Sequence, residues 1–365
     1  MYLKNLSLRS FRNYSALELQ LDPQLNVFVG NNAQGKTNLL EACYLLATTR
    51  SHRTHRDEEM IRWGDDFYHI KAEIRKRLGI THLELHYGVS TGRIAKVNGI
   101  TQKKSSEFVG HLNVVLFAPE HLELVKGEPS LRRRFLDMAI GQINRPYLHQ
   151  LSQYNKLLQQ KNNLLKSQEP VNIDLLLIYN QQLADLGSRL TIKRDQAIKR
   201  LIPLARAAHA KISGQEELEL SYQANAGHPT SVDSLRREFE QLLAARQADE
   251  IRRRQSIVGP HRDDLHLTIN GTDLRHYGSQ GQQRSAVLSL KMAETALMSQ
   301  ETGENPVLIL DDVLSELDPQ RQEQLLGMVT GLTQTLISST DHPPLLSGRQ
   351  VKSFLVKTGS VKELN

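Results

Sequence analysis

The chain has 365 residues, 46 of them Lys or Arg against 40 Asp or Glu, for a net charge of +6, and 39% are hydrophobic. That length predicts two or more structural lobes, with enough apolar residues for packed cores. Cys43 stands alone and excludes an intrachain disulfide or a cysteine-based zinc site. The charged N-terminus MYLKNLSLRSFRNY reads as no secretory leader, and no run reaches the roughly 20 apolar residues of a membrane span. A soluble cytoplasmic protein with no membrane partner is expected. The basic balance is compatible with a polyanionic partner or with a solvated surface.

In chain order, the first strong signal is Leu25-Asn-Val-Phe-Val29, a short buried strand. It leads into Gly30-Asn31-Asn32-Ala33-Gln34-Gly35-Lys36-Thr37 and then a buried helix from Asn38 to Thr48. The loop fits the G-x-x-x-x-G-K-[ST] pattern, and strand and helix supply its required context. Glycines let backbone N–H groups turn toward phosphate oxygens. The helix N-terminus adds a positive dipole end. Lys36 supplies a charge for the β- and γ-phosphates, and the Thr37 hydroxyl can ligate Mg²⁺. A nucleoside triphosphate is the expected ligand.

Arg93-Ile-Ala-Lys-Val-Asn98-Gly99-Ile-Thr predicts a hairpin, as Asn-Gly between alternating residues does. From about 120 to 250 the chain becomes rich in Leu, Gln, Arg and Ala. Leu148, Leu151, Asn155, Leu158, Asn162 and Leu165 fall on a heptad seam. Lys166-Ser-Gln-Glu-Pro170 is expected to end that helix, with a return helix from Ile173 to about Ile212. An arm of ~20 residues is ~30 Å long, a stub of a coiled coil. It is either an ordinary helical subdomain or a lobe for a partner. The lobes are accordingly placed at 1–115 plus 255–365, and at 116–254.

After Gly259-Pro-His-Arg-Asp-Asp264 comes a second Asn-Gly hairpin, at Asn270-Gly271. Tyr277-Gly-Ser279-Gln-Gly281-Gln282-Gln283-Arg284 then opens a helix with apolar positions at Ala286, Val287, Leu290, Ala293 and Leu297. Its N-terminus is suited to an anion, or is plainly capped by Ser279 or Gln280. One nucleotide needs one phosphate loop, so a second phosphate-binding helix end suggests two subunits sharing a site. Val307-Leu-Ile-Leu-Asp311-Asp312 reads as a buried parallel strand with Asp311 at its C-terminal end, where ligands of open α/β sheets sit. Asp311 is the candidate Mg²⁺ ligand. Asp312, expected on the other side of the strand, is the candidate for orienting or deprotonating the attacking water.

Basic segments recur: Arg50, Arg53 and Arg56; Lys71, Arg75 and Arg77; Lys103-Lys104; Arg132-Arg-Arg134; Arg252-Arg-Arg254. Such groups contact phosphates without sequence preference, or form a solvated face. Aromatic residues are 5% of the chain and are not interleaved with these runs, so duplex backbone is favoured over stacking on single strands. The region 50–77 is the first choice for DNA. One arginine of 132–134 is expected to be structural.

The order of these elements resembles the ABC-type ATPases. Ser279-Gln-Gly281-Gln282 is similar to their signature motif, and Ser315-Glu-Leu-Asp318 to the loop that crosses between subunits. Within that group the chain resembles the heads of chromosome-maintenance proteins and, most closely, the RecF family of recombination mediators. The closer match is carried by Phe11-Arg-Asn-Tyr14, Gly30–Thr37, Ser51-His-Arg53-Thr, Arg132-Arg-Arg-Phe-Leu-Asp137, Gly259–Asp264, Gly278–Arg284 and Leu310–Asp318.

The resemblance implies an α/β, ABC-type P-loop ATPase head built from both chain ends, with an inserted, mainly helical lobe. It implies ATP and Mg²⁺ as cofactors, with Arg12 among the nucleotide contacts. It implies a homodimer formed on ATP, each nucleotide lying between one phosphate loop and the other subunit's Ser279, Gly281 and Gln282. It also implies binding to DNA at duplex/single-strand junctions, weak DNA-stimulated hydrolysis, and cooperation with RecR and RecO in loading RecA. Three departures stand out. Asp312 replaces the usual glutamate, which suits slow hydrolysis. The switch histidine has only Thr340 or His342 as candidates, and Val114–Glu120 stands where a glutamine loop would be. The rival readings are a transporter ATPase subunit, which leaves the basic helical insert and GPHRDD unexplained, and another P-loop enzyme, which needs no Ser279 segment.

Overall fold

A computed structural model describes residues 1–167, 170–343, 346 and 350–364. The chain forms two compact units, residues 1–122, 207–215 and 284–365, and residues 123–206 and 216–283.

The first unit contains two six-stranded sheets. One is antiparallel, formed by β1 (Tyr2–Phe11), β2 (Tyr14–Gln20), β4 (Phe67–Lys76), β5 (Gly79–Gly88), β6 (Gly92–Val97) and β7 (Ile100–Gln102) in the order β2-β1-β4-β5-β6-β7. The other takes β3 (Leu25–Val29), β8 (Val114–Phe117), β12 (Val307–Asp311), β13 (Thr335–Ser339), β14 (Lys352–Lys357) and β15 (Ser360–Leu364). Its order is β15-β14-β3-β13-β12-β8, parallel except for β15. Strand β12 reads as an unbroken apolar run up to Asp311, and all five of its residues are buried, as in a sheet covered on both faces. Helix α1 (Lys36–Thr48) touches β12, β13 and β8 of one sheet and β5 of the other. That explains its lack of a polar face: Leu39, Leu40, Leu45 and Leu46 are all fully buried. The expected Asn98-Gly99 turn joins β6 to β7, both residues with positive φ (49° and 80°), as a type I′ turn demands.

The second unit is mainly helical: α2 (Pro129–Ile143), α3 (Arg145–Lys166), α4 (Ile173–Ser213, its last turns belonging to the first unit) and α5 (Val232–Arg253). It also holds a small sheet of β9 (Leu218–Gln223), β10 (Asp264–Ile269) and β11 (Thr272–Asp273). The β10–β9 ladder ties the residues after 255 to this unit as far as Gln283, so the division differs from the expected boundaries near 115 and 255. The long return helix starts at Ile173 as expected. The expected helix stop includes Gln168 and Glu169, which lie outside the described residues.

The buried phase runs one residue earlier than the expected heptad seam over most of helix α3, while Leu165 is buried as expected. Helix α3 buries Tyr147, Tyr154, Lys161 and Leu165, while Asn155 is exposed. Lys161 is fully buried because its ammonium meets the equally buried Glu250 of α5 at 2.6 Å. The Tyr154 hydroxyl bonds the His261 ring at 2.7 Å. The GPHRDD segment is a hydrogen-bonded junction with Gly259, Pro260 and Asp263 buried and Arg262 exposed. Asp263 accepts from the Arg194 guanidinium (3.0 Å), the Asn225 N–H (2.8 Å) and the Tyr222 hydroxyl. Asp264 takes a bidentate pair from Arg132 at 2.7 and 3.0 Å, and Arg132 also donates to the carbonyls of Leu124 and Gly127. Arg132 is therefore structural, and Arg133 adds a bond to the Asp263 carbonyl at 2.8 Å.

Candidate nucleotide site

The phosphate loop leaves the C-terminal end of β3, and Lys36 opens α1. Glycine is required at both ends of the loop. A Cβ on Gly30 would lie 2.3 Å from the Val356 carbonyl oxygen, and Gly35 has φ 118° with the Asn13 side chain 2.6 Å from where a Cβ would stand. No side chain caps α1, so its first N–H groups remain for an anion. Asn31, Asn32 and Ala33 form the exposed crown of the loop. The Lys36 ammonium is buried and donates to the carbonyls of Gly30 and Asn31 (2.9 Å to the latter). Burial lowers its pKa, against the pull of the Asp312 and Asp311 carboxylates.

The loop is braced from outside. The Asn13 amide donates to the Gln34 carbonyl (2.9 Å) and accepts from the Asn38 amide (2.9 Å); the Tyr14 hydroxyl donates to the Gly35 carbonyl (3.0 Å). The β14–β15 turn adds N–H bonds from Thr358 to the Gln34 side chain (2.8 Å) and from Gly359 to the Gln34 carbonyl (3.1 Å). Sequence spacing pointed to none of these braces.

The second half of the site comes from the end of β12, two strands away from β3. The Thr37 hydroxyl donates to Asp311 Oδ1 at 3.0 Å across 274 residues of chain. The same carboxylate oxygen accepts from the Ser338 hydroxyl at 2.7 Å; Ser338 lies on β13, the strand between. Burial raises the Asp311 carboxyl pKa, and the Ser338 and Thr37 hydrogen bonds oppose that. The strand ends at Asp311, so Asp312 does not continue its alternation. It takes a left-handed φ of 53°, with its N–H held by the Ser338 hydroxyl at 2.8 Å.

The donors fit a hard divalent cation. Thr37 and Asp311 offer oxygen, and Mg²⁺ in nucleotide sites takes one or two protein oxygens together with phosphates and waters. Among the described residues no group of three or more His, Cys, Asp or Glu could hold a metal by itself.

Behind the loop lies a charge cluster that the sequence reading did not find. Glu41 of α1, fully buried, takes a bidentate pair from Arg12 (2.9 and 2.7 Å), the Ser51 hydroxyl (2.5 Å) and Arg53 (3.5 Å). Burial alone would raise its carboxyl; the Arg12 and Ser51 hydrogen bonds and the two guanidinium charges hold it below the usual range. Arg53 also donates to the Asn38 amide oxygen (2.8 Å). Arg12 and Arg53 are thus fixed beside the first turns of α1. The signal for the cluster was the helical spacing of Glu41 after Thr37, masked by the apolar run around it.

The Ser279 segment lies in the other unit. Helix α6 (Gln280–Thr302) is capped reciprocally: the Gln282 N–H donates to the Ser279 hydroxyl (3.2 Å) and the Ser279 N–H to the Gln282 side chain (2.9 Å). Ser279 is exposed, with Gly281 and Gln282 half-buried. Of the DNA candidates, Arg50, Arg56 and Arg77 are exposed, while Lys71 lies 3.6 Å from Glu84 and Arg75 3.8 Å from Glu73, so neither stands free of a carboxylate. Thr340 bonds Asp341 (3.4 Å), and His342 lies 3.2 Å from the Ser353 hydroxyl.

The family model described as the RecF/RecN/SMC N terminal domain matches residues 2–361. The DNA replication and repair protein RecF of Symbiobacterium thermophilum is 46% identical over 368 residues, covering 99% of this chain and 98% of that protein. RecF of Bacillus subtilis is 43% identical over 372 residues, covering 99% and 100%. A solved structure of the recombination mediator protein RecF with ATP, from the RecFOR pathway, superposes with a TM-score of 0.92 at 35% identity, covering 100% of this chain and 98% of that one. The Pyrococcus furiosus Smc head shares the fold, with a TM-score of 0.57 at 13% identity. The chain belongs to the RecF family of ATP-binding proteins of DNA replication and repair.

Proposed function

We propose that this chain is an ATP-gated DNA clamp of recombinational repair: two copies close on ATP, hold DNA at duplex/single-strand junctions or gaps, and open after slow hydrolysis. The observation that carries the reading is the Thr37–Asp311 bond, which completes one half of an ATPase site while the exposed Ser279 helix end stands on a separate unit. In this reading Lys36 leaves its carbonyl partners for the β- and γ-phosphates, and backbone N–H groups of Gly30–Thr37 surround them. The cation held by Thr37 and Asp311 supplies charge neutralisation of the phosphates when bound. Asp312 orients and deprotonates the attacking water. Ser279, Gly281 and Gln282 of a second copy close over the γ-phosphate.

Asp312 is one methylene shorter than glutamate, which fits a timer better than a motor. The exposed Arg50, Arg56 and Arg77 are the remaining duplex contacts, and Arg53 is assigned to the nucleotide side. The family relation supports RecR and RecO as partners and RecA loading as the outcome. Solution mass by light scattering tests the reading. A dimer is expected with ATP and Mg²⁺, strengthened by gapped duplex, and absent with ADP. A monomer under every condition would sink the two-copy mechanism and leave the phosphate loop in need of another protein.

A further inference from the structure

Trp63 is the only tryptophan of the chain. It is 97% exposed, the most of any large apolar residue among those described. Single exposed apolar residues are ordinary on a surface, but this one is held rigidly. The Asp65 N–H donates to the Arg62 carbonyl at 3.0 Å, which closes a tight turn over Trp63 and Gly64. Gly64 supplies the positive φ (90°) that such a turn requires after its first central residue. The Arg62 N–H is tied to the Ser10 carbonyl at 2.8 Å, Ile61 pairs with Phe11 of β1, and the Arg62 guanidinium lies 3.5 Å from Asp65. The fold thus fixes the backbone beneath a bare indole. Val89, 62% exposed, adds apolar surface at the same end of the sheet, where its N–H meets the Asp66 carbonyl at 3.0 Å.

The rim is acidic, although the chain as a whole is basic. Residues 57–66 hold Asp57, Glu58, Glu59, Asp65 and Asp66 against one arginine, Arg62. Arg93 of β6 neutralises Asp57, while Glu58, Glu59, Asp65 and Asp66 are exposed. Carboxylates around the indole repel a phosphate backbone and suit a cationic surface. Tryptophan is enriched among the few residues that anchor protein interfaces, where it fills an apolar pocket inside a polar rim.

We propose that the Trp63 turn is a docking knob for a mediator protein that offers an apolar pocket rimmed by lysine or arginine. Trp63 enters the pocket, and Asp65 and Asp66 face the cationic rim. The inference rests on the reading that this chain works with RecR and RecO.

The test labels the chain with fluorotryptophan, so that its one fluorine resonance reports Trp63. RecR, RecO, gapped duplex, and ATP with Mg²⁺ are added separately. The resonance should shift with RecR or RecO, and Trp63→Ala should weaken that binding about thirtyfold or more. Because the side chain is exposed, the variant should keep its fold and its ATP affinity. Asp66→Lys should slow association at low salt and much less at high salt; no change would remove the acidic rim from the assignment. If RecR or RecO binds while the resonance and the affinity of Trp63→Ala stay unchanged, the docking site is overturned and the partner reading stands. If neither protein binds the wild-type chain, the partner reading falls and the docking site with it. A shift with gapped duplex alone would give the turn to DNA, and one with ATP and Mg²⁺ alone to a second copy of the chain; either overturns the proposal.

Discussion

Single side chains set the sharpest expectations. Lys36→Arg keeps the positive charge but not the slender stem that fits between the Gly30 and Asn31 carbonyls. ATP binding should fall modestly and turnover should be mostly lost; normal turnover in a steady-state assay would remove Lys36 from the chemistry. His261 predicts a pH effect. Its Nδ1 accepts from the Tyr154 hydroxyl and its Nε2 donates to the Ser256 carbonyl, so the ring is neutral, and burial lowers its pKa to about 4. The unfolded chain takes up that proton near pH 6.5 and the folded chain only near 4. Stability contributed by the neutral ring is therefore complete above about pH 6.5 and drains away as the pH falls toward 4, by an amount on the order of 3 kcal/mol. Urea melts from pH 7 to 4 should show that slope, and His261→Gln should flatten it. A parallel slope in the variant would place the acid sensitivity elsewhere.

At the level of elements, β3, α1, β12 and the two Asn-Gly turns were legible because their signals are local: an apolar run, a loop pattern, a required positive φ. The phase of α3 was not. Asn155 and Asn162 look like seam positions, yet the buried phase runs through Tyr147, Tyr154 and Lys161. A lysine counts as solvated until its partner is known, and Glu250 is 89 residues away in sequence. The braces on the phosphate loop escaped for the same reason, since Asn13, Thr358 and Gly359 meet Gln34 only through the sheet order. Two predictions follow from these hidden contacts. Lys161→Met should cost about 3–5 kcal/mol by chemical denaturation, since it strands a buried carboxylate, and Lys161→Met with Glu250→Gln should recover much of it; equal losses would mean the pair is not coupled. Gly359 has φ 73°, and a Cβ there would lie 2.2 Å from the Asn13 carbonyl oxygen. Gly359→Val should therefore shift the turn off Gln34 and weaken ATP binding more than it lowers the melting temperature. Unchanged ATP affinity would make the β14–β15 hairpin a bystander.

For the whole molecule the question is whether Ser279 serves its own chain's nucleotide or another's. A symmetric dimer pairs each phosphate loop with the other copy's signature helix, so it holds two equivalent composite sites. A defect in Lys36 and a defect in Ser279 then behave differently together than apart. Ser279→Arg puts a long cation on an exposed helix cap, spares the loop of its own chain, and should abolish turnover. Lys36→Met should abolish it as well. Mixed in equal amounts, the two dead chains form heterodimers in which one composite site has both defects and the other has neither. Random pairing makes about half of the dimers mixed, each with one intact site, so about a quarter of wild-type turnover should return. Recovery at that level requires that the site be shared between copies, because no intact site exists within either chain. A mixture as inactive as its parts, with dimers still present by light scattering, would show that each chain completes its own site, and the role of Ser279 would reduce to capping α6.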